Sequence, residues 1–300
     1  MLKIVKSFEP LTIDNIVITI YAAPGLGKST LGFTADSPLL LDFDHGAHRA
    51  ANRKDSVPIK AWEDVAGMTA EDLAPYKTIV VDTAGRALDS MSLDIIDRNP
   101  KHGRNGALTL QGFGELKSRF AQWQTFLRSL GKDLVLICHM DEQRNGDETQ
   151  ERIDAQGSSK NEIYKSSDAM CRIQIDARGG RFLDFDPREG GYGKNPAQLP
   201  KIAFPHPDVD ANTLANIITR IKDSINKTSQ VQAEAAKESE DWKTAVADAE
   251  SLDDINLLVS LAKDRKLKAP LKALLTDRAK ELGMTFDRET GKYAMAEVEA

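Results

Sequence analysis

The stretch from residue 15 to residue 30 constrains the fold more than any other. It runs from the apolar segment NIVITIYA into a turn with two glycines, and then into a lysine followed by two hydroxyl residues. A buried strand that ends in a glycine-rich turn and continues as a helix is the opening of a βαβ unit. The chain is therefore expected to build a parallel sheet with helices on both faces.

Four more apolar segments predict the other strands of this sheet. They are PLLLDFD (38–44), KTIVVDT (77–83), DLVLICH (133–139) and MCRIQID (170–176). Helical patterns lie between several of them, at Lys28 to Ala35, Arg86 to Arg98 and Phe113 to Leu130. Strands that alternate with helices are typical of an α/β core with a mainly parallel sheet. We also expect an antiparallel hairpin at 179–195 on the sheet edge and a closing helix at 211–225.

Composition divides the chain into three predicted parts. Residues 1–225 contain all of the predicted strands and form the core. Residues 226–241 are polar with few apolar positions, and we expect a linker or an exposed helix there. Residues 242–300 regain leucines at helical spacing, punctuated by Pro270 and Gly283, and predict a small module of two or three helices.

Bulk charge and apolar content exclude some classes of protein. The net charge of −6 argues against binding nucleic acid through overall charge, so any such contact must come from local basic loops. No stretch approaches the roughly 18 apolar residues of a membrane span, and we expect a cytoplasmic protein without a membrane partner. Cys138 and Cys171 sit in apolar stretches and predict buried thiols rather than a disulfide.

Residues 22–29, AAPGLGKS, match the phosphate-binding consensus GxxxxGK[ST] except that Ala22 replaces the first glycine. The methyl group is tolerable where that residue keeps strand dihedrals. We therefore predict an ATP site in which Lys28 reaches the β- and γ-phosphates, Ser29 binds Mg²⁺ and Thr30 lies near the α-phosphate. The rest of the predicted loop is Ala23, Pro24, Gly25, Leu26 and Gly27. A glycine-rich turn without a ligand is the alternative.

Asp82 ends the third apolar segment, TIVVD, and should lie at the carboxyl edge of the sheet, where such folds bind ligands. A carboxylate there can hold Mg²⁺ through water. The alternative is that Asp82 caps the helix expected to begin near Arg86.

Two further strand ends carry candidate catalytic residues. Asp44 follows the second strand and could polarise the water that attacks the γ-phosphate; the alternative is a simple turn residue. His139 ends the fourth strand, where a polar side chain can contact the γ-phosphate and respond to hydrolysis. A structural histidine is the alternative.

From about residue 12 to residue 225, the order of these elements resembles the phage-encoded RecA-core ATPases linked to single-strand annealing and recombination. In RecA-type ATPases the second strand ends in apolar-apolar-Asp-x-Glu, and LLDFD places Asp44 at the position of the glutamate. The resemblance implies a homo-oligomer, ring or filament, with ATP at subunit interfaces. It also implies that a basic residue of a neighbouring subunit completes the site, for which Lys194 in GYGKNP and Arg178 are the candidates.

The same resemblance implies two loops that face single-stranded DNA. The first, RNPKHGRNGALT at 98–109, carries Arg98, Lys101, His102 and Arg104 with no acid after Asp97. Such a basic loop suits phosphate contacts that do not read sequence. The second, at 141–165, is long and mixed in charge. A basic run at 263–272 could contact DNA or the acidic tail of a single-strand-binding protein.

These observations favour a DNA-stimulated ATPase that binds single-stranded DNA and promotes strand annealing or exchange. One alternative is an AAA+-type ATPase that loads or remodels a protein partner in DNA replication. A small-molecule kinase is the other, although we find no cluster of arginines that would form its lid.

Overall fold

The computed structural model describes residues 2–145, 148–155, 159–188, 190–265 and 267–296. Two compact units make up the chain. The larger comprises Ile13–Ile225, and the smaller comprises Met1–Thr12 with Asn226–Ala300. The first twelve residues therefore group with the C-terminal part of the chain rather than with the core in which we expected them.

The larger unit is organised around one sheet. The strands of the larger unit, in chain order, are β1 (Val17–Ala22), β2 (Pro38–Asp42), β3 (Ser56–Pro58), β4 (Thr78–Asp82), β5 (Gly103–Arg104), β6 (Ala107–Leu108), β7 (Asp133–Asn145), β8 (Glu148–Ile153), β9 (Ala169–Ile175), β10 (Arg181–Asp184) and β11 (Ile202–Ala203). Within the described ranges, strands β5 and β6 pair only with each other. The main sheet has the order β11-β10-β9-β1-β7-β4-β2-β3, with β8 paired to β7. Neighbours from β9 to β3 run parallel, whereas β8, β10 and β11 pair antiparallel.

Helices cover both faces of this sheet. They are α1 (Lys28–Gly32), α2 (Glu63–Ala66), α3 (Ala70–Leu73), α4 (Ala84–Arg98), α5 (Leu110–Ser129), α6 (Ser159–Ser166) and the start of α7 (Thr213–Asp248). Thr83 and Thr109 cap α4 and α5, each accepting a hydrogen bond from a backbone amide three residues later. The predicted mainly parallel sheet flanked by helices is confirmed. Its antiparallel edge is formed by β10 pairing with β9 and β11, rather than by a hairpin within 179–195.

Strand β1 lies at the centre of the sheet and is buried along its whole length. Its side chains alternate between two hydrophobic clusters, as strand geometry requires. Val17 and Tyr21 pack with Phe120 and Leu127 on one face. Ile18, Ile20 and Ala22 pack with Leu31, Phe33 and Ile217 on the other. This double burial explains the unbroken apolar sequence of the segment. Cys138 and Cys171 lie in these clusters as free thiols, as predicted.

The smaller unit contains the rest of α7, α8 (Leu252–Asp264), α9 (Ala269–Glu281) and a hairpin of β12 (Met284–Asp287) and β13 (Lys292–Met295). Residues 226–241 lie inside α7, so of the two expectations for this segment, a linker or an exposed helix, the helix is the correct one. The sequence predicted the helices but not the hairpin. Ser251 begins α8 with a capping box to Asp254. In the basic run at 263–272, Lys266 lies outside the described residues.

No helix in the described part of the chain is both long enough and apolar enough to cross a membrane.

Arg172 on β9 is a charged side chain in the interior of the larger unit, only 1% exposed. Its Nη2 donates to Asp184 Oδ2 at 2.8 Å and to the Asp186 carbonyl at 3.0 Å. Nη1 donates to the Tyr192 carbonyl at 3.2 Å. The guanidinium thus joins β9, β10 and the segment that follows β10. Its Nε has no hydrogen-bond partner among the described residues and lies 4.0 Å from Glu151 Oε2, so the buried charge is compensated although one donor is not satisfied.

We expect Asp184→Ala to destabilise the protein by about 3 kcal/mol, because it leaves the Arg172 charge buried without its carboxylate. Urea unfolding at pH 7 measures the loss. Lys77→Ala is the control, since the Lys77 pair with Asp36 is largely exposed and should contribute no more than about 1 kcal/mol. If both variants lose the same small amount, the buried pair is not what stabilises this edge.

Candidate nucleotide-binding site

The turn between β1 and α1 has the backbone of a phosphate-binding loop. Gly25 and Gly27 have φ of 81° and 89°, in the left-handed region that favours glycine. A Cβ built on Gly27 would collide with Nη1 of Arg181. Ala22, the residue that departs from the consensus, is the last residue of β1 and is fully buried. Its methyl packs into the core, which explains why glycine is not required there.

Lys28 is 6% exposed, and its ammonium lies over the end of β1. Nζ donates to the carbonyls of Ala22 and Ala23, at 3.0 Å each. Burial lowers the pKa of Lys28, although the nearby carboxylate of Asp82 opposes the change. A partly desolvated cation at the mouth of the loop is well placed to bind phosphate.

Ser29 and Asp82 meet at the carboxyl edge of the sheet. The Ser29 hydroxyl donates to Asp82 Oδ2 at 2.5 Å. Asp82 does not cap the following helix, because Thr83 does so. Its carboxylate is therefore available for another ligand, and the peptide bond to Thr83 is cis.

The hydroxyl and the carboxylate fit Mg²⁺, which uses few protein ligands and takes the rest of its shell from phosphate oxygens and water. Among the described residues no group of three or more histidine, cysteine or acidic side chains could hold a metal by itself. Any Mg²⁺ at Ser29 and Asp82 would therefore depend on the phosphates of a bound nucleotide.

The charge on Asp82 is poorly compensated. Its side chain is 3% exposed. Burial raises the pKa of Asp82 from 3.8 to about 6; the Ser29 hydrogen bond opposes the rise, while Asp42 and Asp44 add to it. A divalent cation next to this carboxylate would reverse the imbalance.

The two acids after β2 have different roles. Asp42 is buried and accepts from the backbone amides of Gly46 and Ala47 at 2.8 and 3.0 Å, which fixes the turn. Asp44 is partly exposed and faces the cavity, 3.7 Å from Nη2 of Arg49 and 3.6 Å from Nε2 of His139. Asp44 is therefore the acid that remains available for chemistry.

His139 lies beside Asp44 at the end of the parallel part of β7, paired with Ala22 of β1. Its Nδ1 is buried and has no hydrogen-bond partner among the described residues. Burial, reinforced by the Lys28 cation, lowers the pKa of His139. The imidazole is therefore neutral at pH 7 and can donate or accept one hydrogen bond at the cavity wall.

These side chains line one cavity of about 520 Å³, within the range of small-molecule sites. The predicted residues in its lining are Pro24, Gly25, Gly27, Lys28, Ser29, Thr30, Asp44, Asp82 and His139. Ala23 and Leu26 are not in the lining but contribute carbonyls to Lys28 and to Arg181. The cavity is also lined by Arg49, Arg181 and His206, which were not predicted from the sequence. The sequence around a single basic residue does not show that the fold will bring that residue to the cavity.

Lys194 does not lie at this cavity. Its ammonium donates to the carbonyls of Tyr164 and Ser167, at 2.6 and 2.7 Å, at the end of α6. Its backbone pairs with Met170 of β9. These contacts hold the Lys194 ammonium against its own chain, and its expected role in the nucleotide site of a neighbouring subunit stays a prediction. Arg178 is exposed at the turn between β9 and β10.

The first predicted DNA loop is ordered. It forms a 3₁₀ turn at Pro100–His102 and the hairpin of β5 and β6, with Asn105 and Gly106 at positive φ as an Asn-Gly hairpin turn requires. The side chains of Lys101 and Arg104 are exposed.

The other two predicted DNA-binding cations are paired with acids from the flanking helices. Arg98 Nε donates to Asp94 Oδ1 at 2.8 Å, and His102 Nδ1 lies 2.6 Å from Glu115 Oε2. The loop sequence has no acid after Asp97, but the fold brings Asp94 and Glu115 from α4 and α5 to two of its basic residues.

The second predicted loop, at 141–165, is mostly regular structure. It contains the end of β7, strand β8, which pairs with β7, and helix α6. Residues 146, 147 and 156–158 lie outside the described residues.

A glycine-rich loop after the central strand, a lysine at its end and an acid that meets its serine define a P-loop ATPase. The chain belongs to the family described as AAA domain, whose model matches residues 14–197. Among solved structures it is similar to a KaiC-like protein from the hyperthermophilic archaeon Pyrococcus horikoshii OT3, at 10% identity and a TM-score of 0.37. The similarity covers 66% of this chain and 87% of that one. No curated protein matches the chain.

We expect Asp82→Asn to make the nucleotide-free protein more stable than the wild type at pH 8. The native state holds the Asp82 proton more tightly than the unfolded chain, so this contribution to stability is complete below pH 3.8 and is lost as the pH rises through about 6. The rise in pKa corresponds to roughly 3 kcal/mol at most. Urea unfolding without Mg²⁺ at several pH values measures the difference between variant and wild type.

That difference should shrink as the pH falls from 8 toward 4. Asp97→Asn, at an exposed position on α4, controls for the loss of one charge and should give no comparable gain. An Asp82→Asn variant less stable than the wild type at pH 8 would show that the carboxylate stabilises the empty site.

Proposed function

We propose that the protein hydrolyses ATP with Mg²⁺ and uses the cycle to bind and release single-stranded DNA during strand annealing or exchange. The proposal of ATP hydrolysis is supported by one observation above all. Lys28, Ser29 and Asp82 line a single cavity, with Ser29 Oγ 2.5 Å from Asp82 Oδ2. Asp82 lies 53 residues beyond Ser29 in the sequence, and a turn without a ligand gives no reason for the loop and this acid to meet.

The residues divide the reaction between them. The amides of the loop and the Lys28 ammonium bind the phosphate oxygens. Ser29 and Asp82 would hold Mg²⁺, which would supply positive charge against the phosphates of the nucleotide. Asp44 orients and polarises the attacking water, and His139, 3.6 Å away, contacts the γ-phosphate end and responds to its release.

Assembly and DNA binding would use exposed cations outside the cavity. A homo-oligomer of the phage recombinase type, acting in the host cytoplasm, would place the exposed Arg178 at the site of a neighbouring subunit. The Arg178 guanidinium would then stabilise the charge on the phosphates during transfer, as an arginine finger does. Lys101 and Arg104 present two exposed cations on an ordered hairpin that suits contact with DNA phosphates. A single-strand-binding protein is a further proposed partner.

A second candidate is an AAA+-type ATPase that loads or remodels a protein partner. The pairing of Arg98 and His102 with acids favours it, because it halves the cations that the first loop offers to DNA. Phosphate release with and without single-stranded DNA separates the two: stimulation by DNA favours recombination, and its absence together with no DNA binding favours the alternative.

Lys28→Ala should lower the rate of ATP hydrolysis by about 100-fold or more, because the variant loses the cation that offsets charge at the transferring phosphate. Release of inorganic phosphate under saturating Mg²⁺ and ATP measures the rate. Lys77→Ala, which removes an exposed lysine of the same unit, should hydrolyse ATP at the wild-type rate. A Lys28→Ala protein with normal turnover would show that the site lies elsewhere.

Replacing both Lys101 and Arg104 with alanine should weaken binding to single-stranded DNA and flatten its salt dependence. Two lost phosphate contacts should reduce the slope of log K against log salt by about 1.4. Fluorescence anisotropy with a labelled oligonucleotide at several salt concentrations gives both values. An Arg98→Ala and His102→Ala double variant should change the slope less, because these cations are already paired with acids. An unchanged slope in the first variant removes this hairpin from the DNA interface.

A further inference from the structure

Part of the cavity lining is not explained by the phosphate-binding residues. Arg181 and His206 contribute to its lining, as do Ala50 and Ala51 from the segment after β2. In the sheet, β10 and β9 lie on one side of β1, whereas β7, β4 and β2 lie on the other. Arg181 therefore reaches the loop from the side opposite to the strands that carry Asp82 and His139.

The Arg181 side chain is held in one orientation. Its Nη1 donates to the carbonyl of Leu26 in the loop at 3.3 Å. Its guanidinium carbon lies 4.5 Å from the centre of the Phe204 ring. Phe204 is 3% exposed, and its amide donates to the Arg181 carbonyl at 2.8 Å. A buried ring thus supports the planar cation from behind, while the guanidinium borders the cavity.

A guanidinium of this kind suits a flat aromatic ligand. Arginine stacks on aromatic planes because it is planar, delocalised and weakly hydrated. The phosphate end of the cavity already has its own cation, Lys28. Ala50 and Ala51 have small side chains that leave room for a ring in a cavity of about 520 Å³.

We propose that Arg181, backed by Phe204, is the surface on which the purine base of the bound nucleotide stacks. This inference rests on the proposed function, since it assigns the nucleoside end of the same ATP site. The position of Arg181 is also compatible with glycine at residue 27, because a side chain there would displace the guanidinium.

The test compares ATP with inorganic tripolyphosphate, which has the same phosphate chain and no base. Binding of each to the full-length protein is measured by calorimetry in the presence of Mg²⁺. Arg181→Ala should weaken ATP binding about tenfold and leave tripolyphosphate binding within about twofold of the wild type. Arg181→Lys keeps the charge but not the plane, and should behave like the alanine variant.

Wild-type protein should prefer ATP and GTP over CTP and UTP, and the preference should shrink in Arg181→Ala, because a purine offers more surface for stacking. Lys201→Ala, which removes an exposed cation next to β11, is the control and should bind both ligands normally. Thermal unfolding checks that each variant folds.

Three results would overturn the inference. If Arg181→Ala weakens the binding of ATP and of tripolyphosphate equally, Arg181 is a phosphate ligand. If Arg181→Lys binds ATP normally, the charge of the side chain matters and its planar shape does not. Unchanged ATP binding in Arg181→Ala would remove it from the site. In contrast, wild-type protein that binds neither ligand would contradict the proposed function itself, and the inference would fail with it.

Discussion

The contact between the Ser29 hydroxyl and the Asp82 carboxylate depends on how α1 crosses the sheet. Strand β7 lies between β1 and β4, so the strand that leads into α1 and Ser29 is not a neighbour of the strand that ends in Asp82. Helix α1 bridges this distance because Gly32 packs closely on the sheet. A Cβ there would lie 2.9 Å from Val80 and 3.3 Å from Ile137. The absence of a side chain at residue 32 lets the helix descend onto β4 and β7, and this brings Ser29, three residues earlier, to the end of β4.

The same edge of the sheet concentrates negative charge, which the protein neutralises unevenly. Asp42 is matched by two backbone amides and Asp44 by Arg49 and Arg86. Asp82 has the Ser29 hydroxyl and the more distant Lys28 ammonium, and its pKa is correspondingly raised. The poorly compensated charge is therefore located where a magnesium ion would bind. A site of this kind is less stable when empty than it would be with neutral residues, and ligand binding provides the compensation.

Local patterns were sufficient to predict the sheet and the strand ends, because buried parallel strands are continuous apolar runs and each run ends at the same edge. They failed where the partner of a residue comes from elsewhere in the chain. Glu115 lies 13 residues beyond His102, on α5, and no property of the loop itself reveals that the two will pair. The Asn105-Gly106 turn, by contrast, is a local signal that we overlooked. Residues 226–241 were expected as a linker or an exposed helix because they are polar, and polar composition by itself does not separate the two.

The two ends of the cavity differ in how strongly the fold determines them. The hydrolytic end is built from β1, β2, β4 and β7, strands whose register is fixed by burial on both faces. The other end depends on β10 and on residues 204 and 206, which follow the two-residue strand β11. Arg181 reaches Leu26 across 155 positions of sequence, through a hairpin added at the sheet edge. Residues at this end can change without disturbing the central strands, so under the proposed stacking role of Arg181 the edge hairpin is where such a chain would alter its nucleoside preference.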